Sequence, residues 1–143
     1  MKRTSIKKKT IIHSMTGQQL KTGVDIIEIS RIQDIIERRG DRFLKRIFTE
    51  EEIRFSKNKI ERFAGRFAAK EAVMKAFGTG RIGISWTDIE VIRTEDKAPE
   101  IKLHGRGKVF AKSKEINDIS ISISHSKKYA VAFAVIVFRA KSN

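Results

Sequence analysis

No cysteine occurs among the 143 residues, which excludes disulfides, thiolate zinc sites and a cysteine nucleophile. That absence suits a reducing compartment, and the expected location is the cytoplasm. No apolar run approaches the length of a membrane span. The first twenty residues hold only the short Ile11-Ile12 pair where a signal peptide would carry its apolar stretch. There is no GxxxxGK(S/T) phosphate loop, no GxGxxG and no Ser, His and Asp ordering of a hydrolase. Acid is scarce: 17 Asp and Glu stand against 31 Lys and Arg, a formal net charge of +14. A chain of this length makes one domain with a real core. One this basic should meet anions, whether nucleic acid, a nucleotide cofactor, an acidic protein or a membrane surface.

Residues 1–21 carry Lys2, Arg3, Lys7, Lys8, Lys9 and Lys21 and no acid. Their composition is that of a disordered extension or of a segment added to the natural protein, with Met15 an alternative start. A basic targeting or anion-binding arm is the sharper reading of the same charges. The domain is expected over 22–143. Its first strand is placed at 22–29, β-branched and mostly apolar. Ser30 is placed as the cap of a helix over 31–39, interrupted by Gly40 before a second short helix with Arg42, Lys45 and Arg46. Thr49 followed by Glu52 is the signature of a capping box. A long helix is expected over about 59–77, ended by a loop with Gly78, Gly80 and Gly83. Strands follow at 88–94 and 100–104, joined through Asp96 and Pro99, then a helix at 108–117. A hairpin of 120–126 and 129–138 turns around Lys127-Lys128. Residues 130–138 have no polar face, which predicts burial on both sides and, in so small a protein, a subunit interface. The pattern as a whole predicts an α+β fold, a small antiparallel sheet packed on the long helix.

The long helix carries charge where a packing helix should have none. At 100° per residue, Phe63, Phe67, Val73, Met74 and Phe77 share an arc that also holds Arg66 and Lys70. Beside it lie the small residues Ala64, Ala68 and Ala72, with Glu71 and Lys75 among them. Inward charge is unfavourable unless it is paired or holds a ligand, so this crowding marks a site for a charged ligand.

Asp25 is the lone acid of the apolar stretch GVDII, and the plain reading is an edge or strand-end residue facing water. Glu71 alone reads as an i,i+4 salt bridge to Lys75. Together, one carboxylate from a strand and one from a helix can hold Mg²⁺, which keeps several waters and takes other ligands from substrate phosphates. Lys70, Lys75 and Arg66 then offset phosphate charge. His125, followed by Ser126, Lys127 and Lys128, suits a phosphate monoester at a strand end, against the plain reading of a structural histidine. His13 and His104 lack that context and are read as structural or incidental. Gly78-Thr79-Gly80 can approach a phosphate closely, a weak signal by itself. Arg31, Arg38, Arg39, Arg42, Lys45 and Arg46 form either a solvated face or a docking patch for an acidic partner. Nucleic acid is the competing partner for these charges. Phe43 is the main aromatic among them, so base stacking has little support. Trp86 and Tyr129 are read as core or interface.

The segments GVDIIEISRI at 23–32, FAAKEAVMKAFGTG at 67–80 and SISHSKKYAVA at 122–132 resemble the 4′-phosphopantetheinyl transferases, in the small bacterial branch of holo-[acyl-carrier-protein] synthases. Order, spacing and length are similar from about Thr22 to Phe138. The resemblance implies transfer of the phosphopantetheine arm of coenzyme A to a serine of an apo-acyl carrier protein in fatty acid biosynthesis, with 3′,5′-ADP leaving. It implies Mg²⁺ on Asp25 and Glu71, Lys75 on the pyrophosphate, and Arg66 and His125 near the 3′-phosphate. It implies Glu71, Lys70 or a metal-bound water as acceptor of the serine proton, and carrier docking on Arg31, Arg38 and Arg42. It also implies a homotrimer with sites shared between subunits. The third carboxylate of larger relatives is not assigned to Asp88 or Glu90. The basic amino terminus is the main departure from the family.

Overall fold

The computed structural model describes residues 17–78, 83–94 and 96–139. Strands β1 (Gln18–Glu28), β4 (Ile116–His125) and β5 (Tyr129–Arg139) form an antiparallel sheet in the order β1-β5-β4. Period-two alternation in β5 turns Ala130, Ala132, Ala134, Ile136 and Phe138 inward onto α4 (Ile60–Phe77). The helix answers with Ala64, Ala68, Ala69, Ala72 and Ala76, all buried. Small side chains on both surfaces let the helix lie close to the sheet. The approach is tightest at Gly23, where an added Cβ would stand 1.9 Å from the Ala72 carbonyl oxygen, and at Gly65, where it would meet Ile123 Cγ2 at 2.9 Å. Gly23→Ala is therefore expected to separate β1 from α4 and destabilise the fold by about 3 kcal/mol, lowering the melting temperature by roughly 10 °C. An unchanged melting curve would contradict that packing.

Around this layer run α1 (Ile29–Arg39), α2 (Asp41–Ile47) and α3 (Glu50–Ser56). Gly40 joins the first two at φ 54°. Thr49 and Glu52 close the expected capping box, with the Glu52 amide on Thr49 Oγ1 at 3.2 Å and the Thr49 amide on Glu52 Oε1 at 2.9 Å. β2 (Ile89–Ile92) and β3 (Glu100–Leu103) pair in a separate hairpin, followed by α5 (Gly105–Ser113). No helix among the described residues is long and apolar enough to cross a membrane.

Several boundaries differ from the expectation. β1 begins at Gln18, because Gln18 to Lys21 pair with Arg139 to Ile136. Lys21 thus belongs to the domain, its ammonium 5.4 Å from the Phe138 ring centroid. Helix α1 starts at Ile29 with Glu28 at its cap position, so Ser30 is not the cap. Asp88 lies in a 3-10 turn, Trp86–Asp88, ahead of β2. α5 spans Gly105–Ser113 rather than 108–117. Gly105 and Gly107 fall in its first turn, where a Cβ would stand 2.7 Å from Asp88 Oδ1 and 3.1 Å from the Asp88 carbonyl oxygen respectively, so glycine is what the packing requires. Burial of β5 on both faces does not hold in the single chain: Phe133 is 44% exposed and its neighbour Val24 56%. The extension at 1–16 and Thr79 and Gly80 of the glycine loop lie outside the described residues.

Candidate active site

Asp25 sits on β1, an edge strand, beside α4. Lys75 Nζ donates to Asp25 Oδ1 at 2.9 Å and to the Val24 carbonyl at 3.0 Å. Glu71 precedes Lys75 by one turn and shares its stripe of the helix. Asp25, Glu71 and Lys75 therefore gather at one edge of the sheet. Among the described residues no group of three His, Asp or Glu is placed to hold a metal. The donor set is two carboxylates, both hard oxygen ligands, and the Asp25 and Val24 oxygens already hold a cation in the Lys75 ammonium. That set fits Mg²⁺, which needs few protein ligands when waters and phosphates complete its shell.

Lys70 does not join this group. It is fully buried, and its ammonium donates to Glu52 Oε1 at 2.6 Å, the Ile89 carbonyl at 2.6 Å and the Trp86 carbonyl at 3.0 Å. Burial pushes its pKa down, and the adjoining Glu52 carboxylate pulls against that shift. All three protons of the ammonium are engaged and no water reaches it, so Lys70 has no path to a substrate proton. The expectation of a catalytic role is corrected on that ground. Sequence reasoning placed Glu52 only as a capping residue. The capping box itself turns its carboxylate inward, where the Val91 amide also donates to Glu52 Oε2 at 3.1 Å. Glu90 is likewise structural. It accepts from Thr49 Oγ1 and pairs with His104 Nε2 at 3.1 Å. Burial raises the Glu90 pKa, but the bonds from Thr49 and His104 and the nearby positive charges outweigh it and leave the carboxyl below its usual range.

Arg66 is 3% exposed, and its Nη1 donates to the Arg62 carbonyl at 3.3 Å. Nε and Nη2 are buried with no hydrogen-bond partner among the described residues. The guanidinium lies over the Phe55 ring at 4.8 Å, and burial lowers its pKa. It faces a cleft of about 460 Å³ that also receives Lys59, Arg62, Arg93 and His125. A buried donor left open is unfavourable by itself, and a phosphate oxygen would satisfy it. The cleft brings Arg66 and His125 together as expected. Lys59, Arg62 and Arg93 were not singled out, although Arg62 lies one turn from Arg66 and so falls at a readable spacing.

A second hollow, about 860 Å³, lies between α1, α2 and α4. Arg38, Arg42 and Arg46 stand on its rim, and Phe43, Phe67 and Trp86 line it. Phe67 and Trp86 stack with centroids 5.1 Å apart and planes 23° apart. Arg31 is exposed in the first turn of α1 and does not line this groove. The basic rim was readable in the sequence. The apolar floor was not, because two of its aromatics come from α4 and from the turn before β2.

The 4′-phosphopantetheinyl transferase superfamily model matches residues 21–134. The chain belongs to this superfamily. A holo-[acyl-carrier-protein] synthase of Koribacter versatilis is 47% identical over 121 residues, covering 82% of this chain and 97% of that protein. One from Alkaliphilus metalliredigens is 50% identical over 119 residues, covering 79% and 94%. The crystal structure of the Helicobacter pylori synthase in complex with coenzyme A superposes with a TM-score of 0.73 at 37% identity, covering 80% of this chain and 98% of that one.

In this phosphopantetheinyl transferase family member the acid pair and the Arg66 cleft lie on opposite sides of α4. Arg66 and Lys75 are nine residues apart, which is about half a rotation around the helix and ~13 Å along it. The sheet repeats the separation: Asp25 is on β1 and His125 on β4, with β5 between them. Gly78 is not at the Arg66 cleft. It ends α4 in the left-handed conformation, φ 76°, and borders a different hollow with Lys21, Lys114 and Arg139.

Proposed function

We propose that this chain transfers the 4′-phosphopantetheine arm of coenzyme A to a serine of an apo-acyl carrier protein, with 3′,5′-ADP leaving, as a step of fatty acid biosynthesis in the cytoplasm. The observation that carries the reading is Arg66. Its guanidinium, with Nε and Nη2 unpartnered among the described residues, lines a basic cleft in a chain whose relative of known structure is bound to coenzyme A. The 3′-phosphate of coenzyme A is assigned to Arg66 and His125, with Arg62 and Arg93 adding charge. Asp25 and Glu71 would hold Mg²⁺. When bound, the ion polarises the phosphoryl group and steadies the leaving oxygen. Lys75, already at the acid pair, offsets the charge that grows on the departing 3′,5′-ADP. The carrier serine must lose its proton, and with Lys70 engaged elsewhere Glu71 is the carboxylate on the exposed stripe of α4 assigned to accept it.

Two surfaces support the partners. The arginine-rimmed groove fits an acidic carrier protein, and Phe67 on its floor lies one helical turn from Glu71. The outer face of the sheet exposes Leu20, Val24, Ile26 and Phe133 as an apolar patch, which a second copy of the chain would cover. Because the cleft and the acid pair occupy opposite sheet edges, a ring of three copies would bring the β4 edge of one to the β1 edge of the next. We assign the complete site to that junction. The test is the intact mass of an apo-acyl carrier protein after incubation with this protein, coenzyme A and Mg²⁺. A gain of one phosphopantetheine group, lost when EDTA is present, is expected. No gain with several carrier proteins and folded protein would overturn the reading.

A further inference from the structure

We propose that Lys70 and Glu52 are positioning residues for carrier-protein docking: they hold Trp86 against Phe67, so that the apolar floor of the groove is fixed relative to Glu71. This inference rests on the function proposed above. Lys70 ends in three directed bonds that reach two different segments, α3 through Glu52 and the turn into β2 through the Trp86 and Ile89 carbonyls. Glu52 adds a fourth tie, to the Val91 amide. A buried ion pair of this kind is a poor source of stability, since apolar residues of the same volume often serve as well. What it supplies is direction. One ammonium fixes the backbone of Trp86 from inside while the Trp86 ring stacks on Phe67.

Phe67, Lys70 and Glu71 are successive neighbours on α4, at i, i+3 and i+4. Residues at that spacing stand roughly 5–6 Å apart at their Cβ atoms. A side chain pressed on the Phe67–Trp86 floor is thus one helical turn from the acid pair. The partner that fits is an acidic helix with an apolar residue at its centre: Arg38, Arg42 and Arg46 meet the acid, and Phe43, Phe67 and Trp86 meet the apolar side chain. Loss of the Lys70 tie leaves the arginines, Phe43 and Phe67 in place but frees the Trp86 backbone to drift, which weakens docking before it touches the chemistry.

The test uses the double variant Glu52→Leu, Lys70→Met, which removes both charges together and leaves neither buried alone. Trp86 is the single tryptophan of the chain, so its emission reports the floor directly. A rise of about tenfold in KM for apo-carrier protein is expected, the scale of a lost anchor in a docking site. The kcat should stay within about twofold, because Asp25, Glu71 and Lys75 keep their own ties; the KM for coenzyme A should rise less than that for the carrier, since Glu52 also holds Val91 at the wall of the Arg66 cleft, and the Trp86 emission should shift to the red. A folded variant with unchanged carrier KM and unchanged emission overturns the inference. So does one in which kcat falls and both KM values stay constant. If the variant does not fold, the wild-type protein decides the matter. Titration with a carrier whose acceptor serine is alanine should change Trp86 emission saturably, and an unresponsive Trp86 overturns the inference. Failure of wild-type transfer would instead strike at the proposed function.

Discussion

Glu71→Gln is expected to lower phosphopantetheine transfer at saturating coenzyme A by about a thousandfold or more. The substitution keeps shape and helix propensity and removes one formal charge. Asp25 would then stand without the second carboxylate of the pair, and it is already bonded to the Lys75 ammonium at 2.9 Å. One carboxylate fewer would remain to hold the Mg²⁺ proposed for this site, so the charge of the leaving group would be poorly met beside Lys75. The KM for coenzyme A should change little, because the site proposed for the 3′-phosphate, at Arg66 and His125, lies on the far side of α4. A kcat loss with a preserved KM is the sign of an interaction that matters in the transition state. Melting temperature should stay within a few degrees, since Glu71 lies on the partly exposed stripe of the helix. A basic nucleic-acid-binding domain would behave differently, with binding almost untouched by this change. Full transferase activity in the variant would end the metal assignment.

The acid pair and the cleft were legible because their residues sit where short-range patterns can be read. Asp25 interrupts an apolar strand, and Arg66 interrupts an apolar helix arc. Gly23 follows the same logic after the fact: it precedes Asp25 by two positions because the chain must pass within van der Waals reach of Ala72. What the sequence hid was pairing across distance. Lys70 and Arg66 look alike on a helical wheel, both charged and both inward. One meets Glu52 eighteen residues earlier in the chain, and the other keeps two donors without a partner. No periodicity separates those cases, because the answer depends on which loop folds over each end of the charge. Trp86 is a similar case. It read as core or interface, and it is buried, with its ring forming the floor of the groove beside Phe67. The outer face of β5 shows the opposite limit. Its apolar character predicts a cover, and only an assembly can say what the cover is.

Mixing two inactive variants tests that assembly most sharply. Asp25→Asn alone should remove transfer on the same scale as Glu71→Gln. Arg66→Ala alone should raise the KM for coenzyme A by about a hundredfold, through loss of a charge-assisted contact to phosphate. It should not harm folding, since it removes a buried guanidinium whose Nε and Nη2 have no partner. If each site joins the β1 edge of one copy to the β4 edge of the next, co-expression in equal amounts rebuilds intact sites. Each copy in a mixed ring has about one chance in two of being either variant. A site needs intact Asp25 on one side and intact Arg66 on the other, so about a quarter of the junctions are native and about a quarter of wild-type activity should return at low coenzyme A. Sites contained in single chains would return none, because every chain carries one lesion. Zero recovery from mixed trimers that are folded and verified by two tags would refute the shared junction while leaving the chemistry of Asp25, Glu71 and Arg66 standing. The geometry favours recovery for a simple reason. Arg66 and Lys75 are separated by half a rotation of a helix packed against a sheet, and a single extended substrate reaches both more readily across a subunit boundary than around the body of α4.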